Sequence, residues 1–305
     1  MLGYALRRIL YLVPVILGVS IVSFALLRFI PGDPAVVLAG VGATPADLEG
    51  IRAEYGLNQP LPVQYITYVT HALQGDLGIS IRTRDPVART LFTRLQLTIQ
   101  LTFASIVLAT VLGIFLGVMA ATHHNSWLDT CIMVTSLAGI SLPGFWLGLL
   151  LLVVFAGMLH WLPAGGSGTP QHLILPAIVL GTSGAAVIAR MTRGSILDVI
   201  RQDYLRTLRA SGVSERLIVY KHALRNALNP VITIIGLQFG FLLGGAVIVE
   251  SVFALPGVGM LMVNAIFNRD YPVVQGGMLV IAILFVLVNL MTDLVYGLVN
   301  PRIRY

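Results

Sequence analysis

Six long apolar stretches, separated by shorter polar ones, dominate the pattern of this 305-residue chain. They fall at residues 9–30, 95–122, 128–159, 173–191, 230–249 and 273–299. A helix rises about 1.5 Å per residue, so about 20 apolar residues cross a hydrocarbon layer roughly 30 Å thick. The pattern therefore predicts an all-α polytopic membrane protein with six transmembrane helices. The third stretch is too long for one straight span, and Pro143-Gly144 inside it predicts a kink or an excursion along the interface. The first follows Arg7-Arg8; its length and the lack of an A-x-A-like site predict a retained signal-anchor helix rather than a cleaved signal peptide.

The polar segment at residues 31–94 is not read as a loose connector. Thr44-Pro45-Ala46-Asp47 has the order of a helix start, with a capping hydroxyl, proline in the first turn and an acid facing the positive end of the helix dipole. Gly56 can end that helix. A second amphipathic helix is expected from Leu61-Pro62 to Gly75, before Asp76-Leu77-Gly78. Asp85-Pro86 is expected to cap a third, feeding directly into the second span. A segment of this length with repeated caps reads as a small platform. It is either a lid or docking surface for an outside partner or a packed cover over the span ends.

Composition agrees with lipid as the main solvent: 57% of residues are hydrophobic and 10% charged, with a mean hydropathy of +0.89, against about 25% charged in a typical soluble domain. Orientation follows from Lys and Arg near span ends. Arg7 and Arg8 precede the first span and Arg302 and Arg304 follow the last. Between the fourth and fifth lie Arg193, Arg201, Arg206, Arg209, Arg216, Lys221 and Arg225, with Arg190 at the edge. An even number of spans puts all three regions on one side, the cytoplasm. The net charge of +6 and isoelectric point near 9.8 are thereby explained by orientation, and a nucleic-acid-binding role is excluded by the apolar composition. The expected organisation is an N-terminal end and first span (1–30), an extracytoplasmic helical segment (31–94) and a five-span core (95–305) that includes a cytoplasmic loop at 195–229.

That loop has its own pattern. Ser195-Ile196-Leu197-Asp198 resembles a capping box, and Ile196, Ile200, Tyr204 and Leu208 recur every four residues, which predicts an amphipathic helix outside the bilayer. Ser211-Gly212 is expected to stop it, glycine being able to take the left-handed conformation. Ser214 is expected to cap a returning helix with Leu217, Tyr220, Leu224 and Leu228 as its apolar stripe, until Asn229-Pro230 opens the fifth span. Such a basic hairpin can retain the loop inside, bind anionic lipid, or present a short element to a cytoplasmic motor. The small residues at the tip, Ala210-Ser211-Gly212-Val213-Ser214, favour the last, because they let a partner approach the backbone.

No catalytic constellation emerges. Lys221 is the only lysine and lies between Tyr220 and His222, so the chain has no G-x-x-x-x-G-K-[ST] phosphate loop. Gly165-Gly166-Ser167-Gly168-Thr169 misses the G-x-S-x-G pattern at its last position. His123-His124 lacks further ligands at metal-binding spacing and reads as a polar turn. The single cysteine, Cys131, reads as a packed thiol. Glu250 and Asp293 are acids in apolar stretches, where they mark either a pathway or a polar contact near a helix end. Gly113 with Gly117, and Gly240 with Gly244, have the spacing that permits close helix approach. Thr233 and Gln238 on the fifth span could line a passage or bond neighbouring helices. An ion-coupled secondary transporter of the same topology is the main rival, but it should carry more mid-span ionisable groups and an internal repeat.

The run Asp203-Tyr204-Leu205-Arg206-Thr207-Leu208-Arg209-Ala210-Ser211-Gly212, followed by His222-Ala223-Leu224-Arg225-Asn226-Ala227-Leu228-Asn229-Pro230, resembles the loop of binding-protein-dependent ABC importer permeases of the dipeptide/oligopeptide/nickel type. Arg206-Thr207-Leu208 stands where the broad family has Glu-Ala-Ala, a departure this subfamily commonly shows. Pro31-Gly32-Asp33-Pro34, Tyr55-Gly56-Leu57, Gln64-Tyr65, Gln74 to Gly78, Val249-Glu250, Leu255-Pro256-Gly257-Val258-Gly259, Arg269-Asp270-Tyr271-Pro272 and Asn300-Pro301 extend the resemblance over the whole chain. They resemble the first of the family's two permease chains. The resemblance implies a type I ABC importer permease fold and no catalytic or metal site. It also implies a second, similar permease, two ATPase subunits that bind ATP and Mg, an external solute-binding protein, and a prokaryotic inner-membrane location with both termini cytoplasmic. Its substrates would be dipeptides or short oligopeptides, with glutathione or nickel as alternatives. By position, Arg206, Arg209, Ala210, Ser211, Gly212, Val213 and Ser214 would couple to an ATPase, with Gly212 setting the turn.

Overall fold

In a computed structural model, residues 2–29, 34–39, 43–54 and 56–299 are described. Pro31-Gly32-Asp33, Tyr55, Asn300-Pro301, Arg302 and Arg304 lie outside them, as do the side chains of Arg7, Arg8 and Asp293. The described residues are mostly helical, with one isolated antiparallel bridge between Ile79 and Pro86. Among the described residues four helical runs are long and apolar enough to cross a membrane: Val87–Thr122, Pro170–Ile200, Glu215–Val252 and Tyr271–Thr292. A fifth is formed if the pair Trp127–Ser141 and Gly144–Met158, bent by 100°, counts as one broken span. At that break Leu142 and Pro143 are both extended; proline lacks an N–H and drives the preceding residue out of the helical region. The first helix, α1 (Leu2–Phe29), contributes a shorter apolar stretch, Val13–Ala25.

The chain divides into two compact units. One comprises residues 1–96 and 257–286. It contains α1, α2 (Pro34–Ala39), α3 (Pro45–Glu54), α4 (Leu61–Leu73), the start of α5 (Val87–Thr122), α12 (Val258–Phe267) and much of α13 (Tyr271–Val299). The expected Thr44 cap is present. The Thr44 amide and hydroxyl donate to Asp47 Oδ2 at 2.9 and 2.7 Å, and the Asp47 amide donates back to the Thr44 hydroxyl. These bonds hold the Asp47 carboxyl below the usual carboxylate range. Gly56 and Gly75 take positive φ, +62° and +83°, at the ends of α3 and α4. Helix α5 starts at Val87 with the Pro86 carbonyl accepting its first bond, one residue beyond the expected Asp85 cap. Val87, Leu91, Val258, Ala265, Val273 and Val274 form the buried core of this unit. Tyr65 hydrogen-bonds Ser20 at 2.8 Å and packs edge-on to Phe24, which fastens α4 to α1.

The second unit comprises residues 97–256 and 287–305. It holds the rest of α5, then α6 (Trp127–Ser141), α7 (Gly144–Leu151) with a wide-turn extension at Leu152–Met158, and α8 (Ile174–Ile200). It continues with α9 (Asp203–Ala210), α10 (Glu215–Leu217), a π-helical turn at Ile218–Ala223 and α11 (Leu224–Val252). Small residues let α5 meet α8 closely. A Cβ added to Gly113 would lie 2.6 Å from Ile188 Cβ, and one on Gly117 2.5 Å from Thr192 Cβ. The second glycine pair does not act this way. Gly240 is buried, but Gly244 faces open space, and the close approach on α11 is instead at Gly236 against Thr292. Cys131 is exposed on α6 rather than packed: the apolar stretch around it presents one face outward, and composition alone does not say which.

Candidate functional site

The segment at 195–229 departs from the expected hairpin at both of its roots. Helix α8 runs unbroken to Ile200, so Ser195 is not a cap; it is a buried mid-helix residue, 8% exposed. The local capping pattern loses to tertiary packing, because Ile196 on the same turn is fully buried. The chain breaks only at Arg201-Gln202, and Gln202 precedes α9. At the other root Pro230 does not open a helix but lies inside one, since Glu215–Val252 is a single helical run. A proline there removes one backbone bond, about 3 kcal/mol in an exposed helix. Burial of Ala227 and Val231 on either side, 1% and 0% exposed, holds the helix together across it.

The apolar stripes also shift. In α9 the buried residue is Leu205, while Tyr204 is partly exposed. In the returning arm Leu217 and Tyr220 are exposed, and the buried series is Ile218, Val219, Ala223, Ala227 and Val231. The turn through 218–223 is π-helical, and both Ile218 and Val219 face inward on it. Counting at 3.6 residues per turn places the wrong residues inward beyond such a turn. Leu205, Ile218, Ala223 and Ala227 pack with Val118 and Ala121 of α5 and Ile196 and Val199 of α8. Fully burying a leucine or isoleucine side chain contributes about 1.5–3 kcal/mol. The two arms are therefore seated on the core helices.

At the tip the expected glycine turn is present in detail. Gly212 has φ +82°, its amide donates to the Arg209 carbonyl at 3.0 Å, and the Val213 amide donates to the Leu208 carbonyl at 3.1 Å. This is a Schellman closure, and Leu208 and Val213 supply its apolar contact in the same cluster. No atom lies within 4 Å of where a Gly212 Cβ would be. Ala210, Ser211, Gly212 and Ser214 are exposed and Val213 half-buried. Ser214 stands at the N-cap of α10 with its side chain making no cap bond; its carbonyl accepts from the Ile218 amide.

Two of the arginines differ in what they touch. Arg206 is exposed and, among the described residues, pairs only with Asp203, at 3.4 Å, on its own helix. Arg209 reaches across the turn: its Nε is 2.6 Å from Glu215 Oε1, its Nη2 3.4 Å from Oε2, and its Nη1 3.5 Å from the Ile200 carbonyl. Asn226 donates to the Tyr204 hydroxyl at 2.7 Å, a second tie between the arms. Glu215 and Asn226 carry no signal at helical spacing. Only the turn brings them opposite Arg209 and Tyr204.

Thr233 and Gln238 are not brought together. Thr233 belongs to an exposed stripe on α11 with Leu237, Phe241, Gly244 and Ile248, whereas Gln238 is half-buried on another face. Glu250 is fully buried and accepts from the Thr98 hydroxyl at 2.6 Å, a polar contact within the unit. Arg193, counted in the sequence as loop charge, forms a two-pronged pair with Asp129, at 2.6 and 2.7 Å. The His124 ring lies 3.3 Å from that carboxylate, and Ser126 caps the turn that leads to it. Among the described residues no group of three or more His, Cys, Asp or Glu side chains is placed to hold a metal.

Residues 113–305 match the binding-protein-dependent transport system inner membrane component family, and residues 1–102 match the family of the N-terminal part of binding-protein-dependent transport system membrane components. Over the full length of both chains, 47% of residues are identical to the glutathione transport system permease protein GsiC of Escherichia coli K12. Identity is 43% to the dipeptide transport system permease protein DppB of Alkalihalophilus pseudofirmus, again over all of both chains. In fold the chain is similar to a chain of the MetNI methionine ABC transporter, with a TM-score of 0.60 and 22% identity, over 69% of this chain and 96% of that one.

Proposed function

Because this chain belongs to the family of binding-protein-dependent transport system inner membrane components, we propose that it carries short peptides across the membrane as the first of two permease chains in an ATP-driven importer. Dipeptides and short oligopeptides are the favoured substrates; glutathione, itself a short peptide, and nickel are the alternatives. A second permease, two ATPase subunits holding ATP and Mg, and an external solute-binding protein complete the assembly. Both termini and residues 195–229 face the cytoplasm of a prokaryotic inner membrane, where the Lys and Arg of short loops are retained.

The observation that carries this reading is the continuity of Glu215–Val252. The arm that returns from the exposed Gly212 tip and the apolar span are one continuous helical run. A cleft of an ATPase that grips Ala210 to Ser214 and moves on ATP binding would therefore move α11 directly. Arg206 is free of the turn and available to that partner, while Arg209 keeps the tip in shape. Such a movement requires the permease states to differ in free energy of contact, which ATP binding biases. Thr233 and the stripe around it are the proposed face toward the pathway and the second permease.

The test is reconstitution with the partner subunits and uptake of a labelled dipeptide and of labelled glutathione. Uptake is expected with active ATPases and none with hydrolysis-dead ones. Uptake that persists without hydrolysis would exclude the reading.

A further inference from the structure

Far from the Gly212 turn, a loop and a helix end in the first unit are locked together around one buried acid. Asp270, 4% exposed, accepts from the Ser80 hydroxyl at 2.5 Å, the Ile81 amide at 3.1 Å and the Arg82 amide at 3.4 Å. Arg82 donates to the Asn268 side chain. The turn at 80–85 and the turn at 268–270, nearly 190 positions apart in sequence, thereby form one rigid piece.

That piece carries two arginines where glycine would be expected. Arg269 closes α12 in a Schellman turn: φ is +55°, its amide donates to the Ile266 carbonyl and the Asp270 amide to the Ala265 carbonyl at 2.8 Å. Arg84 has φ +63°. Left-handed backbone is unfavourable for a side-chain-bearing residue, and glycine avoids that cost. The backbone alone gives no reason for arginine at either place. Arg82, Arg84 and Arg269 are exposed, and among the described residues no ion pair joins any of the three to a carboxylate. Phe267, two positions before Arg269, is 83% exposed, and Ile79, three before Arg82, is 51% exposed. Arginines next to an exposed aromatic are the composition of a protein contact.

We infer that Arg82, Arg84 and Arg269, with Phe267, form a docking patch for an acidic face of the external solute-binding protein. The inference rests on the topology under the proposed function, which puts residues 31–94 outside. A protein suits the patch better than a lipid surface does. Its arginines are carried on turns whose backbone is locked, which suits two-pronged recognition of placed carboxylates, whereas lipid headgroups are held by clusters of several basic residues.

The experiment uses the assembled importer in nanodiscs of zwitterionic lipid and the purified solute-binding protein as the probe. Arg84→Gly with Arg269→Gly removes the charges and keeps a backbone that glycine accepts; Arg84→Glu with Arg269→Glu reverses them. Binding is expected to weaken about tenfold in the glycine variant and further in the glutamate variant. The difference from wild type should shrink as salt is raised. Retained co-purification with the ATPases shows that each variant is assembled. Wild-type affinity in an assembled glycine variant would overturn the docking assignment alone. So would a loss that appears only when anionic lipid is added to the nanodiscs, which would make headgroups the occupant. A wild-type complex that binds no solute-binding protein would overturn the proposed function itself.

Discussion

The guanidinium of Arg209 lies 2.6 Å from the carboxylate of Glu215, across a turn whose apex is Gly212. The pair joins the end of α9 to the start of the helix that becomes α11. In sequence Arg209 is a candidate partner contact; in the structure it is first a brace. The two roles separate on exchange. Arg209→Glu alone places two acids together and should lower coupled ATPase activity several-fold. Arg209→Glu with Glu215→Arg should recover most of it, because the brace is restored with its charges swapped. An exposed pair is worth only about 0.2–1 kcal/mol, so insertion and abundance should hardly change. No recovery in the exchange variant, measured as ATP hydrolysis driven by loaded binding protein, would make Arg209 a direct contact.

Gly212 is constrained by its backbone and not by crowding, since its φ is +82° and nothing stands within 4 Å of a built Cβ. Asparagine, which tolerates this conformation, should therefore be accepted, and valine should not. Gly212→Val is expected to keep membrane insertion while losing co-purification with the ATPases or coupled hydrolysis. Gly212→Asn should retain most of both. Equal loss in the two variants would mean that the partner cannot accept any side chain at the tip, whatever the backbone.

The features legible in the sequence are those that local chemistry decides. The Thr44-Asp47 cap, the glycine ends of α3 and α4, the Pro143 break and the Gly212 turn each follow from a few adjacent residues. The features missed depend on packing at a distance. Ser195 has the form of a cap but is buried within α8, and Pro230 has the form of a boundary but is carried inside α11. The π-turn at Ile218–Ala223 puts Ile218 and Val219 both inward, which no periodicity count anticipates. Arg193 reads as one more topology charge until Asp129 is found beside it.

That last pair gives a stability prediction. Asp129 and Arg193 have side chains 5% and 25% exposed, so removing either partner leaves a poorly solvated charge. Breaking a buried pair in this way typically costs about 3–5 kcal/mol, whereas replacing both by apolar residues is often nearly neutral. Asp129→Leu should lower the melting temperature of the detergent-solubilised complex clearly. Asp129→Leu with Arg193→Leu should return it most of the way. A double variant no more stable than the single one would show that the Asn125 amide and Ser126 cap around Asp129, rather than the ion pair, hold the α5–α6 turn.

The glycines of α5 and α11 make opposite predictions from the same spacing. At Gly117 a methyl group would meet the Ala189 carbonyl at 2.6 Å as well as Thr192, and at Gly113 the Ala185 carbonyl at 2.9 Å as well as Ile188. Backbone cannot move aside as a flexible side chain can, so the helices must separate; overpacking of this kind costs about 1–3 kcal/mol. Gly113→Ala and Gly117→Ala should each lower thermal stability of the purified chain. Gly244 has no neighbour within 4 Å in the chain itself, so Gly244→Ala should leave that stability unchanged or raise it through helix propensity. It lies on the exposed stripe with Thr233 and Phe241. If the second permease packs there, Gly244→Leu should weaken pairing of the two permeases while leaving the isolated chain folded. Co-purification of the two chains from variants of equal abundance measures this, and undiminished pairing would assign the stripe to lipid.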